Sequence, residues 1–479
     1  MNYSIIIYVL GYIFDFSALF MVLPCIVAIC YQEMAGVWFL VCALAIGLAG
    51  LVLSRKKPEN KKFYAREGMV VVALSWVFIS FIGALPFVLT ESIPDFTNAL
   101  FESVSGFTTT GASILDEVES LPHCVKFWRC FTNWIGGMGV LVFIMALLPY
   151  LGASNMYLMR AESTGPSVGK LVPKIQKTAF WLYAMYIGLT VLEIILLIPG
   201  GMPVFDAICD SLATAGTGGF AVRTDSIASY NSYIQIVITI FMFLFGVNFK
   251  FYFLVISKKI KDAFRLEEVR WYLMIYVAAV LLIAADITQD VGSLAVNLRD
   301  SAFQVSTIMT TTGFATVDYC TWPAFAQALL VLLMYIGGCA GSTSGGMKLS
   351  RIIIYVKSIK KELEFQLHPR SVRKIKVDGK TIEHEVLRST KTYLIIYFAI
   401  MTISLLIICL DNFDLVTNFT SVAACLNNIG PGLEMVGPTG NYAEFSAISK
   451  YVLMFDMLAG RLEMIPMMLL LTPATWKKQ

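Results

Sequence analysis

Charge is scarce in this sequence: Asp, Glu, Lys and Arg make up 14% of its 479 residues, against 57% hydrophobic. A water-soluble globule of this length would lack the polar side chains to cover its surface, so the bilayer is the natural solvent. Histidine is scarcer still, with His123, His368 and His384 widely separated. The ten cysteines form no CxxC pair, and most fall in apolar stretches, as Cys25, Cys42, Cys339 and Cys409 do. A resident metal site is therefore not expected. An enzyme would need convergent acids, bases or metal ligands at membrane depth, and the apolar stretches offer few, so no catalytic residue and no cofactor is assigned. The glycine-rich run ending Gly345-Gly346-Met347-Lys348-Leu349 fails as a nucleotide loop, which needs Gly-Lys-Ser/Thr. Nothing points to nucleic acid.

What is present is apolar length. A spanning helix needs about 20 mostly apolar residues, and ten stretches qualify, near 5–30, 36–53, 68–90, 127–151, 179–200, 232–257, 268–288, 323–347, 391–411 and 446–472. The first has no basic leader and is too long for a signal-peptide core, so it is expected to be retained. Alternate loops are basic, at Arg55 to Arg66, at Arg160 to Lys177, at Lys258 to Arg270 and at Lys357 to Lys391, with Lys477 and Lys478 at the end. The opposite loops keep only Lys126, Arg129, Arg223, Arg299 and Lys450. This asymmetry places both termini in the cytoplasm.

Four outside connections share a short semi-apolar segment followed by a glycine-centred tract: TTTGAS, AGTGGFA, TTTGFAT and NNIGPG. Laid on Gly111, Gly219, Gly313 and Gly430, they align without gaps, and a polar residue recurs nine positions upstream as Glu102, Asp210, Gln304 and Ser421. The glycines lie 108, 94 and 117 residues apart, with an apolar span on each side, which is the mark of an internal repeat. Gly136 and Gly137 follow the first tract much as Gly337 and Gly338 follow the third, with Gly246 and Gly460 in the other two units; such residues let helices cross closely or bend. One tract alone reads as a surface turn. Four in register read as half-helices that enter and return around a water-filled path, because irregular backbone at membrane depth must line a cavity or be buried in protein.

Backbone carbonyls can replace the water of a dehydrated cation without titrating, and glycine adopts the conformations that aim them. The candidate filter is Thr109-Thr110-Gly111, Thr217-Gly218-Gly219, Thr311-Thr312-Gly313 and Asn428-Ile429-Gly430, with no Lys or Arg to repel a cation. Asp95, Asp206, Asp300 and Asp414 lie near the starts of the short helices, where carboxylates cap free N–H groups; with Asp116, Glu117 and Glu119 they also enrich cations outside.

The eighth span breaks over Gly337, Gly338, Cys339, Ala340, Gly341, Ser342, Thr343, Ser344, Gly345, Gly346, Met347 and Lys348, a composition unsuited to a continuous helix. Either the helix ends early, or this is a plug under the filter. Arg461 lies deep in the last span, where a charge costs about 2.5–3.5 kcal/mol; it either snorkels or meets a partner from another element, since Asp456 and Glu463 are not at helical spacing from it. Asp15 and Glu193 are acids in apolar surroundings, open to proton coupling or to bonding within the bundle. His368 to Glu385 contains Asp378-Gly379, a hairpin turn signal, within a basic loop.

The four tracts, the GGCAGSTSGGMK break and the MLAGRLE helix together resemble the Trk/Ktr/HKT superfamily of potassium transporters over essentially the whole chain, and the two extra N-terminal spans resemble its TrkH-type branch. The resemblance implies an all-α integral membrane fold: a two-helix unit (1–66), then pore repeats at 67–154, 155–258, 259–388, the third with the intramembrane loop and hairpin, and 389–479, around a pseudo-fourfold pore. It implies potassium bound at the filter glycines, a gate made by the loop Gly337 to Lys348 with Arg461, a homodimer, and a cytoplasmic TrkA-type nucleotide-binding ring that regulates it in a bacterial or archaeal inner membrane. In the plant HKT branch a serine at the first filter position goes with sodium preference; here that position is Gly111. The alternative is a secondary transporter coupling potassium to sodium or protons; four loops entering with the same orientation favour the pore.

Overall fold

The computed structural model describes residues 1–56, 65–139, 175–289, 293–370 and 374–477. Lys57, Lys61, Lys62, Arg160, Lys170, Lys174 and Lys478, along with the end of the expected 127–151 span, lie outside these residues.

Helices α1 (Tyr3–Tyr31) and α2 (Ala35–Ser54) form an antiparallel pair joined by Gln32 in the left-handed conformation. Four units follow, each a long helix, a short helix, and a second helix. The first has α3 (Ala65–Leu89), α4 (Phe96–Phe107) and α5 (His123–Met138). The second has α6 (Ile175–Leu197), α7 (Val204–Gly216), and α8 (Ser232–Phe245) continued by α9 (Phe249–Ile256). A five-residue helix α10 (Ile260–Phe264) leads to the third, with α11 (Glu267–Asp286), α12 (Leu294–Met309), α13 (Ala324–Ile336) and α14 (Leu349–Leu367). Strands β1 (Lys376–Val377) and β2 (Lys380–Thr381) then form a hairpin. The fourth unit has α15 (His384–Ile408), α16 (Leu415–Leu426), α17 (Ala447–Arg461) and α18 (Ile465–Leu471), before a last turn α19 (Pro473–Trp476).

Among the described residues, six helices are long and apolar enough to cross a membrane, seven if α8 and α9 count as one. The shortfall from the ten expected spans falls on the second helix of each unit, and it has a physical cause. The first of these, α5, runs to the edge of the described residues. The span expected over 232–257 is not continuous: it bends by 93° between α8 and α9. The bend falls at Gly246 and Asn248, whose side chain accepts from the Lys250 N–H and caps α9. The third opens into the loop 337–348. The fourth breaks at Glu463 and Met464, with φ of +67° and +60°.

Two of the four aspartates are caps. Asp95 accepts from the Asn98 N–H and Asp414 from the Thr417 N–H. The other two are not: α12 begins at Leu294, leaving Asp300 inside the helix and bonded to Arg299, while Asp206 sits in the first turn of α7 and accepts from the Tyr230 hydroxyl. The short helices are enclosed; Phe101, Cys209, Phe303 and Val422 are all fully buried. They are the core of the molecule, which is the inverse of a soluble fold only in what surrounds it.

Candidate ion pathway

Each short helix ends the same way. Thr109, Thr217, Thr311 and Asn428 are all left-handed, with φ between +53° and +57°. Their N–H groups bond three residues back, to Gly106, Thr214, Ile308 and Cys425, at 2.9–3.2 Å. The next N–H groups, of Thr110, Gly218, Thr312 and Ile429, bond five residues back at 2.8–3.0 Å. This is a Schellman termination in four copies, which satisfies orphan carbonyls at the helix end and turns the chain. A threonine in this conformation costs roughly 1–2 kcal/mol, and the enclosing structure holds one there three times; Asn428, of a type that tolerates the left-handed region, takes the fourth place.

One step on, Gly111, Gly219, Gly313 and Gly430 have φ of +76°, +69°, +88° and +96°. A methyl group on Gly111 would lie 2.2 Å from the Gly218 carbonyl oxygen, on Gly219 2.1 Å from that of Thr312, on Gly313 2.2 Å from that of Ile429, and on Gly430 2.6 Å from that of Thr110. The four tracts thus abut in the order first, second, third, fourth and back to first. That order closes a ring.

In the first and third units the polar residue nine positions upstream braces the chain beyond the ring, while Asp210 of the second is fully buried. Glu102 is fully buried, pairs with Arg129 at 2.7 Å, and accepts from Ser113 and from the Ile114 N–H. Arg129 also donates to the Ala221 carbonyl, which ties the second tract to the first unit. Gln304 reaches Thr316 and Val317. In the fourth unit the role shifts by one residue: Ser421 bonds its own helix, and Thr420 takes the Leu433 N–H. A cavity of about 120 Å³ lies against these outer segments, lined by all four filter glycines with Asp116, Arg129 and Arg223.

The loop 337–348 meets the opposite side of the ring. Its Gly345 N–H donates to the Thr311 hydroxyl at 2.5 Å and its Gly346 N–H to the Asn427 carbonyl at 2.9 Å. Gly337, Gly341, Gly346 and Lys348 take positive φ, so no regular helix can pass here. Ser344 is fully buried and Lys348 nearly so, with the ammonium donating to the Ser344 carbonyl. Gly338 lies against Ser344, Thr343 donates to the Phe245 carbonyl at the α8–α9 bend, and Ser342 closes a turn on Cys339.

Arg461 does not snorkel. It is 6% exposed, donates to the Thr343 carbonyl at 2.8 Å, and reaches the Gly136 and Gly137 carbonyls of α5 at 2.5 and 2.7 Å. These three hydrogen-bond acceptors come from other elements, and they are carbonyls. Glu463 is instead paired with Arg351 of α14, while Asp456 accepts from Ser404. Asp15 lies against Ser54, and Glu193 is buried beside Thr214 of α7.

Sequence reasoning missed several residues here. Glu268 accepts from the Ala340 N–H of the loop at 2.7 Å, and Tyr397 holds the Asn427 side chain; Asn428, already in the expected filter, donates to the Thr110 hydroxyl and the Met457 carbonyl. No periodicity marks them; the one available signal was that Glu268 is an acid at the edge of an apolar span.

Comparison with known proteins gives the same ring a family. The model of the family described as TrkH, cation transport protein, matches residues 32–478. The chain belongs to the TrkH family. It is 37% identical over 468 residues to the Trk system potassium uptake protein TrkH of Salmonella typhimurium, covering 96% of each chain. It is 32% identical to the Trk system potassium uptake protein TrkG of Escherichia coli, covering 99% of this chain and 98% of that one. The crystal structure of the potassium transporter TrkH from Vibrio parahaemolyticus superposes with a TM-score of 0.89 at 30% identity, covering all of both chains. This TrkH-family chain is therefore a membrane transport protein with the TrkH fold.

Proposed function

We propose that this chain carries potassium into the cell through the closed ring of four filter tracts, with Gly111, Gly219, Gly313 and Gly430 as its selecting positions. The observation that carries the reading is the ring itself, in which each glycine makes room for the carbonyl of the next unit. Carbonyl oxygens and the converging negative ends of four helices suit a dehydrated monovalent cation. The relatives named as potassium uptake proteins support the choice of ion.

The loop 337–348 and Arg461 are the gate in this reading. The loop bonds the filter at Thr311 and Asn427, and a guanidinium beneath it opposes a cation by charge. The basic face that carries the hairpin is the cytoplasmic one, where a nucleotide-binding ring of the TrkA type regulates a homodimer of this chain. The test is rubidium flux into proteoliposomes holding the purified chain, comparing wild type with Gly111→Ser. Weakened discrimination against sodium is expected in the variant; unchanged selectivity removes Gly111 from the filter.

A further inference from the structure

The loop 337–348 is held from below as well as from above. Glu268, in the first turn of α11 and 8% exposed, takes the Ala340 N–H on one carboxylate oxygen and the Asn248 amide on the other at 3.3 Å. Asn248 is the cap at the α8–α9 bend, so Glu268 joins the loop to the broken helix of the second unit. The neighbouring residue faces the other way. The Glu267 N–H, one of the free donors of a helix start, is taken by the Asp378 carboxylate at 2.8 Å. The Glu267 carboxylate holds Lys357 of α14 at 2.5 Å, and the same ammonium donates to the Lys376 carbonyl of the hairpin. Lys250 of α9 lies 3.9 Å from Asp378.

Asp378 occupies the hairpin turn. With Gly379 it has φ of +50° and +75°, the mirror-image geometry of a two-residue turn. That turn places a carboxylate against the N-terminus of α11, and the next residue along, Glu268, places a carboxylate against the loop. Two consecutive residues therefore join the hairpin to the loop, and α14, which starts where the loop ends, is tied to the same point by Lys357.

We propose that Glu268 is a positioning residue that holds the intramembrane loop in place, and that the Asp378 turn sets where Glu268 stands, so that hairpin and loop move together. The proposal rests on the reading of the loop as the gate. It makes the hairpin a lever on that gate, because displacement of the Asp378 turn releases the first turn of α11, and with it the Ala340 N–H.

The test is rubidium flux through the purified full chain in proteoliposomes, for Glu268→Ala, Glu268→Gln, Asp378→Ala, the double variant Glu268→Ala/Asp378→Ala, and a deletion of Gly341 to Gly345. Glu268→Ala is expected to raise flux about tenfold, the scale of one hydrogen bond to a charged group. Glu268→Gln, which keeps a carbonyl oxygen as acceptor, leaks less than Glu268→Ala. Asp378→Ala raises flux by a smaller factor, and the double variant matches Glu268→Ala alone because both act through one bond. Equal flux in the Ala and Gln variants, or a double variant equal to the product of the singles, overturns the proposal. The deletion separates the two readings: if it raises flux and Glu268→Ala does not, the gate stands and the linkage falls; if the deletion fails to raise flux, the gate falls and takes the linkage with it. Where Glu268→Ala does not elute as monodisperse protein, Glu268→Asp, one methylene short of Ala340, replaces it with the same expected direction.

Discussion

Replacing Arg461 by alanine separates the bonds that hold the loop from those that hold the helices. Of its three carbonyl partners among the described residues, Thr343 belongs to the loop, and Gly136 and Gly137 belong to α5. Loop opening breaks the first bond and leaves the other two. A hydrogen bond from a charged donor contributes roughly 1.5–3 kcal/mol, so its loss shifts the closed-to-open equilibrium by roughly 10- to 100-fold at about 1.4 kcal/mol per decade. Rubidium flux through Arg461→Ala is expected to rise on that scale. The α5 bonds enter both states equally, so their loss lowers the melting temperature without changing the flux ratio. Charge acts in the same direction, since removing a cation from the path favours potassium entry, and Arg461→Lys tells the two apart. One ammonium cannot span carbonyls on two elements as a planar guanidinium does, so the lysine variant leaks at an intermediate level if the bond matters and matches wild type if only charge does. Wild-type flux in a monodisperse Arg461→Ala protein refutes the reasoning.

Three further outcomes are expected. Gly111→Ser places a side chain at φ +76° and 2.2 Å from the Gly218 carbonyl; the potassium-to-sodium flux ratio should fall, while the same change at Gly188 of α6, where a side chain meets open space, should leave it alone. Glu102→Ala leaves the buried Arg129 guanidinium without its carboxylate, a loss of about 3–5 kcal/mol, which a drop in thermal unfolding temperature measures; an unchanged transition refutes the brace. Glu33 is pushed up by burial, but the N–H groups of Cys124 and His123 and the His123 ring outweigh this and hold it below the usual carboxylate range. The stability it contributes is complete above the unfolded value, about 4.3, and is lost as pH falls through the folded one. Acidification through that window should therefore lower the unfolding temperature of wild type more than that of Glu33→Gln; equal slopes refute the pairing.

The ring was legible in the sequence because glycine at four aligned positions has no substitute: the space a side chain would fill is taken by a neighbouring backbone. The left-handed step two residues earlier was not, because three of its four residues, Thr109, Thr217 and Thr311, are of a type that propensity places elsewhere, and only the enclosing helices impose the conformation. Arg461 stood out by the cost of its burial, while its partners did not, since a carbonyl has no residue type. Gly246 was marked as a place where helices cross closely or bend, but not as a break, because the apolar pattern on either side is continuous and the contact of Asn248 with Glu268 lies across the fold. Asp300 was misplaced as a cap because α12 starts earlier than its apolar pattern does, at Leu294 after Ser293.

The contacts that close the filter ring have a sense of rotation. Gly111 leans on the second unit, Gly219 on the third, Gly313 on the fourth and Gly430 on the first, and in each case the glycine of one unit leans on a carbonyl of its successor. Disturbance at one position is handed forward around the axis. Second-site changes that restore a damaged filter should accordingly cluster in the unit that follows the lesion, so that a defect at Gly313 is repaired near Ile429 and one at Gly430 near Thr110, in the tract at the other end of the chain.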